Sequence, residues 1–116
     1  MNKPASRMFQ VQAHTRRSRI EAVAAARTAL SIAGASVTDI RHYSNKSSVF
    51  QVLLPSAAWD DMVRILKEAL LTIDSLSPGT PDELIKDKDG DVSGTLQLLY
   101  IGDDQDIRDE VPAVPG

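Results

Sequence analysis

The chain has 116 residues, a net charge of −3 and no cysteine, which fits a single domain that buries roughly two thirds of its unfolded surface. The lack of cysteine excludes a disulfide framework and a thiolate metal site, and it suits a reducing cytoplasm. The first helical pattern cannot be a signal peptide or a membrane span, because it is alanine-rich and broken by charges, at Arg16, Arg17, Arg19, Glu21 and Arg27. We therefore predict a cytoplasmic protein without a membrane partner.

The net charge hides a separation of basic from acidic residues along the chain. Residues 1–46 have a net charge of +6, whereas residues 47–116 have a net charge of −9. Such an asymmetry marks a site for an anionic partner in some proteins, and in others it only keeps the acidic half in solution. The sequence leaves both interpretations open.

The first half of the chain predicts a strand, a helix and a hairpin. From Arg7 the residues MFQVQAHT alternate, with Phe9, Val11 and Ala13 on the buried side. A capping box of Ser18 and Glu21 starts the helix, Gly34 ends it, and one apolar face carries Ile20, Val23, Ala26 and Leu30. Two strands follow at Ser36–Tyr43 and Ser48–Leu54, joined by a short turn in which Asn45 is suited to a positive φ.

The second half predicts one more long helix and one more strand. The helix begins at Ser56, and its apolar stripe contains Trp59, Met62, Val63, Leu66, Ala69, Leu70 and Ile73. Residues 74–94 have no regular pattern apart from a short helical turn at Thr80 to Glu83. The last strand is expected at residues 95–101.

This order of elements predicts an α+β protein with a ferredoxin-like βαββαβ fold. In that fold a four-stranded antiparallel sheet carries two helices on one face, and the first and third strands are the middle pair. We expect residues 1–6 to be a flexible tail, residues 7–101 to be a single domain with an irregular linker at 74–94, and residues 102–116 to be an acidic, mostly disordered tail.

The face of the sheet without helices is the first candidate for an interface. Strand alternation places there Gln10, Gln12, His14, Gln51 and Gln97, together with Val49, Leu53 and Leu99. Polar side chains of this kind suit a homo-oligomer built across a two-fold axis, although a solvated sheet would look the same. RNA-recognition domains need stacking aromatic residues on this face, and the whole chain has only five aromatic residues, so the sequence does not favour nucleic acid as a partner.

The acidic and histidine motifs predict neither a metal nor a cofactor. Asp87, Asp89 and Asp91 resemble the first half of an EF-hand loop, but Val92 and Leu98 occupy the positions that need glycine and glutamate. His14 and His42 are the only histidines and have no further ligands at fixed spacing. Without a nucleophile and base pattern, the chain is more consistent with a non-enzymatic protein.

Two family resemblances concern separate parts of the chain. The helix, AGASVTDIRHYS and VFQVLLP, from His14 to Leu54, resemble ACT domains, which sense small molecules. SAAWDDMVRILKEAL, the Gly90-Asp91 turn, Gly94 and Ile107-Arg108 are similar to nitrogen-regulatory PII-type proteins. The second resemblance implies a trimer that binds adenine nucleotides between subunits, with Gly90, Asp91 and Arg108 as ligand-binding residues.

The sequence therefore favours a regulatory or protein-interaction domain that forms homo-oligomers through the open sheet face or a strand edge. Its ligand, if it has one, is expected to be a small anionic metabolite or a nucleotide held near Arg16, Arg17 and Arg19 at the start of the first helix. The alternative is a nucleic-acid or acidic-partner binding module that uses the same arginines. An enzyme of the dimeric α+β barrel kind is a third hypothesis, based on fold analogy alone.

Overall fold

The structure is a computed structural model that describes residues 8–44, 46–69 and 71–101. Two α-helices and five β-strands follow one another along these residues, with two short 3₁₀ turns. They are β1 (Met8–Thr15), α1 (Arg19–Ile32), β2 (Ser36–Tyr43), β3 (Ser47–Pro55), a 3₁₀ turn (Ser56–Ala58), α2 (Trp59–Glu68), β4 (Thr72–Ser77), a 3₁₀ turn (Pro81–Glu83) and β5 (Asp91–Tyr100). The predictions for the two tails, Asn45, Leu70 and Arg108 fall outside the described residues.

The predicted four-stranded antiparallel ferredoxin-like sheet is wrong. The sheet has five strands in the order β2-β3-β5-β1-β4 and is mixed, because β1 and β5 are parallel while the other neighbouring pairs are antiparallel. The expected middle pair, β1 and β3, is separated by β5. Neither helix within the described residues is long and apolar enough to cross a membrane.

The error has a local cause, which is a strand that closely follows α2 in the sequence and whose start was expected to be part of that helix. We expected the second helix to continue through Ile73, but α2 ends at Glu68 and Ile73 belongs to β4. The two inward-facing residues of β4, Ile73 and Leu76, are three positions apart because the register shifts at Asp74. A spacing of three residues is typical of a helix and differs from the two-residue period of a regular strand. The segment expected to be irregular, 74–94, thus contains most of β4 and the start of β5.

Each inner strand buries alternate residues against the two helices. Phe9, Val11 and Ala13 of β1 are almost fully buried, as predicted, and residues of β3, β5, α1 and α2 join them in one core. The ring of Phe9 meets that of Trp59 edge to face, with ring centroids 5.3 Å apart and an interplanar angle of 89°, an arrangement that the quadrupoles of aromatic rings favour. This contact ties β1 to α2.

Helix α1 starts and ends as predicted, but its buried face is rotated. Ser18 accepts a hydrogen bond from the backbone N–H of Glu21, and Gly34 follows the helix with a φ of 92°. The buried residues are Ala22, Ala26, Ala29 and Leu30. Ile20 is 78 % exposed, because it lies about 130° around the helix from the centre of that stripe. The small alanines let α1 approach the sheet closely.

We predict that Gly94→Ala strongly destabilises the fold. A Cβ atom on Gly94 would overlap the ring of Phe9, its neighbour across the β1–β5 pair. Phe9 is fully buried and its ring packs against Trp59, so the added methyl group would displace core side chains. We expect a loss of about 1–3 kcal/mol in the free energy of unfolding, measured with urea.

Gly79→Ala is the matched control for this substitution. No heavy atom lies within 4 Å of a Cβ built on Gly79, so this variant should unfold at nearly the same urea concentration as the wild type. Equal stability of the two variants would contradict the packing of Phe9 over Gly94.

Candidate functional site

The face of the sheet opposite the helices, called here the open face, carries the largest group of predicted site residues. Its inner part is formed by the outward-facing residues of β1, β3 and β5. They are Met8, Gln10, Gln12 and His14 of β1, Val49, Gln51 and Leu53 of β3, and Ser93, Thr95, Gln97 and Leu99 of β5. All five residues predicted for the interface thus lie on one surface.

The strand register arranges the glutamines in two neighbouring rows across the sheet. One row runs Val49, Gln97, Gln12 and Ser75, and the next runs Gln51, Thr95, Gln10 and Ser77. The hydroxyl of Ser75 donates to Oε1 of Gln12 at 3.4 Å. A shallow concavity of about 390 Å³ opens between the rows, and its lining includes Gln10, Gln12 and Gln97 but not Gln51.

Charged side chains lie at the edges of the open face rather than at its centre. His14 is the only ionisable residue among the inner positions 8–14, 49–53 and 93–99. Its Nδ1 atom lies 2.8 Å from the carboxylate of Asp74 in the edge strand β4. On the opposite edge, Nε of Arg41 donates to Asp39 at 3.1 Å, and this hydrogen bond and the carboxylate charge raise the pKa of Arg41. The centre is therefore polar but uncharged.

Both edge strands are poorly suited to pairing with another strand. In β2 the register shifts between Val37 and Asp39, and the hydroxyl of Thr38 donates to the carbonyl of Gln51 across the shift. In β4, which has only six residues, the register shifts at Asp74. Bulges, charges and short length are features that protect sheet edges from adding strands. An oligomer is thus better accommodated by the open face than by an edge.

A second candidate site surrounds the start of α1. A concavity of about 490 Å³ is lined by His14, Thr15, Arg16, Arg17, Glu21 and Thr72. The backbone N–H of Arg17 donates to the hydroxyl of Thr15 at 3.1 Å, which fixes the turn before the helix. Among the described residues, no carboxylate forms a salt bridge with Arg16, Arg17 or Arg19. These guanidinium groups therefore remain available to an anion.

The other predicted ligand-binding residues do not join this arginine cluster. Thr15 pairs with Tyr100 at one end of β5, whereas Asp91 begins the strand at its other end. Nine residues of extended chain separate the two ends by about 30 Å. Gly90 and Asp91 thus lie far from Arg16 and Arg17, and Arg108 is outside the described residues.

Asp91 belongs instead to an acidic turn with Asp87 and Asp89. Oxygen atoms of the three carboxylates lie within 4.8 Å of one another, which is close enough to share a cation. One of these oxygens, Oδ1 of Asp87, already accepts the backbone N–H groups of Asp89 and Asp91, both at 2.9 Å. Partial desolvation and the charges of Asp87 and Asp89 raise the pKa of Asp91. Val92 and Leu98 are buried in β5, so the turn has no EF-hand continuation.

A polar chain runs from the exposed His42 to the buried Ser48 and Tyr100, and the sequence did not predict it. The Tyr100 hydroxyl donates to Oγ of Ser48 at 2.7 Å, and Nδ1 of His42 lies 2.6 Å from the same Oγ atom. Burial raises the pKa of Tyr100, while Ser48 and Arg19 lower it in part. Because Ser48 is fully buried, its hydroxyl links two strands and is not accessible as a nucleophile. The signal in the sequence was the position of Ser48 on the apolar side of β3, opposite His42.

The chain matches no protein-family model, no curated protein and no solved structure. The resemblances to ACT domains and PII-type proteins therefore stay predictions.

We predict that Ser48→Ala lowers the free energy of unfolding by about 1–3 kcal/mol, because it leaves the buried Tyr100 hydroxyl without a partner. Tyr100→Phe removes that hydroxyl, so the double variant should lose less than the sum of the two single losses in urea unfolding. Strictly additive losses would contradict a direct coupling between Ser48 and Tyr100.

Proposed function

We propose that this protein is a non-enzymatic protein-interaction domain whose open face binds a second copy of the same chain. The observation that carries the proposal is the distribution of charge on that face, which is uncharged at the glutamine-lined centre and charged at the edges. Protein interfaces have the same layout, with few charges in the core and a polar rim. A cytoplasmic location remains part of the proposal.

The size of the open face is sufficient for a dimer. Five strands spaced about 4.8 Å apart give a width of about 24 Å, and a strand of eight residues extends about 26 Å. One copy therefore offers about 600 Å², and two copies together bury about 1,200 Å², which is the lower end of the range for specific interfaces. The face is large enough for a reversible dimer.

The chemistry of the face also fits pairing with itself. A two-fold axis brings the same surface patch of both copies together, so each group must find a complement in its own set. A glutamine amide satisfies this condition because it contains both a donor and an acceptor. A lysine has only donors and an ionised glutamate only acceptors, so neither can pair with its own copy. Partly exposed Met8, Tyr43 and Leu99 provide apolar area around the glutamines.

A second candidate function, binding of a small anionic metabolite or nucleotide, is favoured by the arginine cluster. Arg16 and Arg17 line a concavity of about 490 Å³ and form no salt bridge with a described residue. A nucleic acid or an acidic protein would use the same arginines, and the test below separates these partners by their dependence on salt.

We predict that the wild-type protein has twice its monomer mass of 12.6 kDa in light scattering at high protein concentration. Gln97→Lys places like charges near the two-fold axis, and an energetic cost of about 3 kcal/mol weakens the dimer about 100-fold. A circular dichroism spectrum like that of the wild type would show that the variant is folded.

Ser31→Lys is the matched control, since Ser31 is exposed on α1 and lies away from the open face. This variant should dimerise like the wild type. A wild-type monomer at every concentration, or equal weakening by both lysines, would contradict dimerisation through the open face.

For the second candidate, we predict that a nucleoside triphosphate at one hundred times its Kd adds about 2.7 kcal/mol to the free energy of unfolding, measured as a thermal shift. The double variant Arg16→Gln/Arg17→Gln should abolish the shift. Arg27→Gln/Lys67→Gln removes the same charge away from the concavity and should preserve it. A thermal shift that persists in the first variant, or no thermal shift with any nucleotide or phosphate, would contradict this candidate. Binding of long polyanions that weakens steeply with salt would favour the nucleic-acid alternative.

A further inference from the structure

A groove between α1 and α2 lies on the helix side of the molecule. It has a volume of about 580 Å³, and its apolar part is lined by Ala24, Ala25, Ala29, Ile32, Ile65 and Ala69. Ile32, at the end of α1, is 68 % exposed. Small side chains leave the groove wide enough for an extended segment of chain, and the exposed isoleucine offers that segment an apolar contact.

This groove is continuous with the concavity at the start of α1. Arg17 and Glu21 line both of them. The two carboxylates that border the groove already have partners, since Glu21 accepts from the Ser18 hydroxyl and Glu68 accepts from Arg64. The concavity and the groove together form one path across the surface. This path begins with guanidinium groups that have no described carboxylate partner and ends in the apolar part of the groove.

The described part of the chain ends at the start of this path. The backbone N–H of Ile101 donates to the carbonyl of Thr15 at 3.0 Å, and Thr15 directly precedes Arg16 and Arg17. The next residues, 102–110, contain five acidic residues and one arginine, and VPAV follows at 111–114. The segment is first acidic and then apolar, and the surface along the path is first basic and then apolar. The two therefore match in order.

We propose that the C-terminal segment 102–116 of this chain binds along the path, with its acidic part on Arg16 and Arg17 and its apolar part in the groove between α1 and α2. The reach is sufficient, because 15 residues extend up to about 50 Å. Helix α1, with 14 residues, is only about 21 Å long. The segment then occupies the same guanidinium groups as a small anion would, so it acts as an internal competitor at that site.

The inference is independent of dimerisation through the open face, and a spin label tests it in the chain of 116 residues. Because the chain has no cysteine, Ala113→Cys provides a single attachment site outside the described fold. We expect the label to broaden the amide NMR signals of Ala25, Thr28 and Ile32, while those of Gln12 and Gln97 on the open face stay sharp.

Charge and stoichiometry provide the controls. Arg16→Gln/Arg17→Gln, or high salt, should restore most of the broadened signals, whereas Arg27→Gln/Lys67→Gln should not. A mixture of isotope-labelled wild type and unlabelled spin-labelled chain should show no broadening, because the contact is within one chain.

Three results would overturn the proposal. They are broadening on the open face instead of α1, an absence of broadening anywhere in residues 8–101, and broadening of α1 in the mixed sample, which would assign the groove to a segment of a second copy. Each of them differs from the results that would contradict the dimer, which are read from mass.

Discussion

The packing of Phe9 over Gly94 fixes the relation between the two strands on which the rest of the structure depends. Phe9 is fully buried, and its ring lies where any side chain at position 94 would have to be. The same ring meets Trp59 of α2. One residue of β1 therefore sets both the register of β1 against β5 and the position of a helix on the sheet. A shift of one residue in that register would turn the side chains of β5 to the opposite face.

That register also determines what each candidate site contains. Because Phe9 lies opposite Gly94, Gln12 lies opposite Gln97 on the open face, and Thr15 lies opposite Tyr100 at the end of the strand. The first pair forms the centre of the proposed dimer interface. The second brings the end of the described chain beside the start of α1, where Arg16 and Arg17 are located. Both candidate sites are thus consequences of one packing contact in the core.

The sequence was sufficient for those elements whose signals are local. The alternation of Phe9, Val11 and Ala13 predicted β1, and the Ser18 cap and Gly34 predicted both ends of α1. The same alternation placed the glutamines together on one face. The position of β5 between β3 and β1 was not predictable in this way, since pairing between distant strands leaves no periodic trace in either strand. The bulge in β4 disrupts the two-residue period of that strand, so the sequence did not predict β4 and the sheet was expected to have four strands instead of five.

The two surfaces differ in the physical force on which each depends. The open face is uncharged at its centre, so contacts between copies in the proposed dimer would rely on apolar burial and neutral hydrogen bonds, which salt screens little. The start of α1 carries guanidinium groups, which are exposed at Arg16 and half-buried at Arg17 and Arg19. Salt weakens the attraction between charges separated by more than the Debye length, which is about 8 Å at physiological ionic strength. Under these two proposals, rising salt should release the C-terminal segment, or any anion that replaces it, while leaving the proposed dimer intact. Such a difference would separate the two surfaces in one titration of the unmodified protein, because a single shared surface would lose both interactions together.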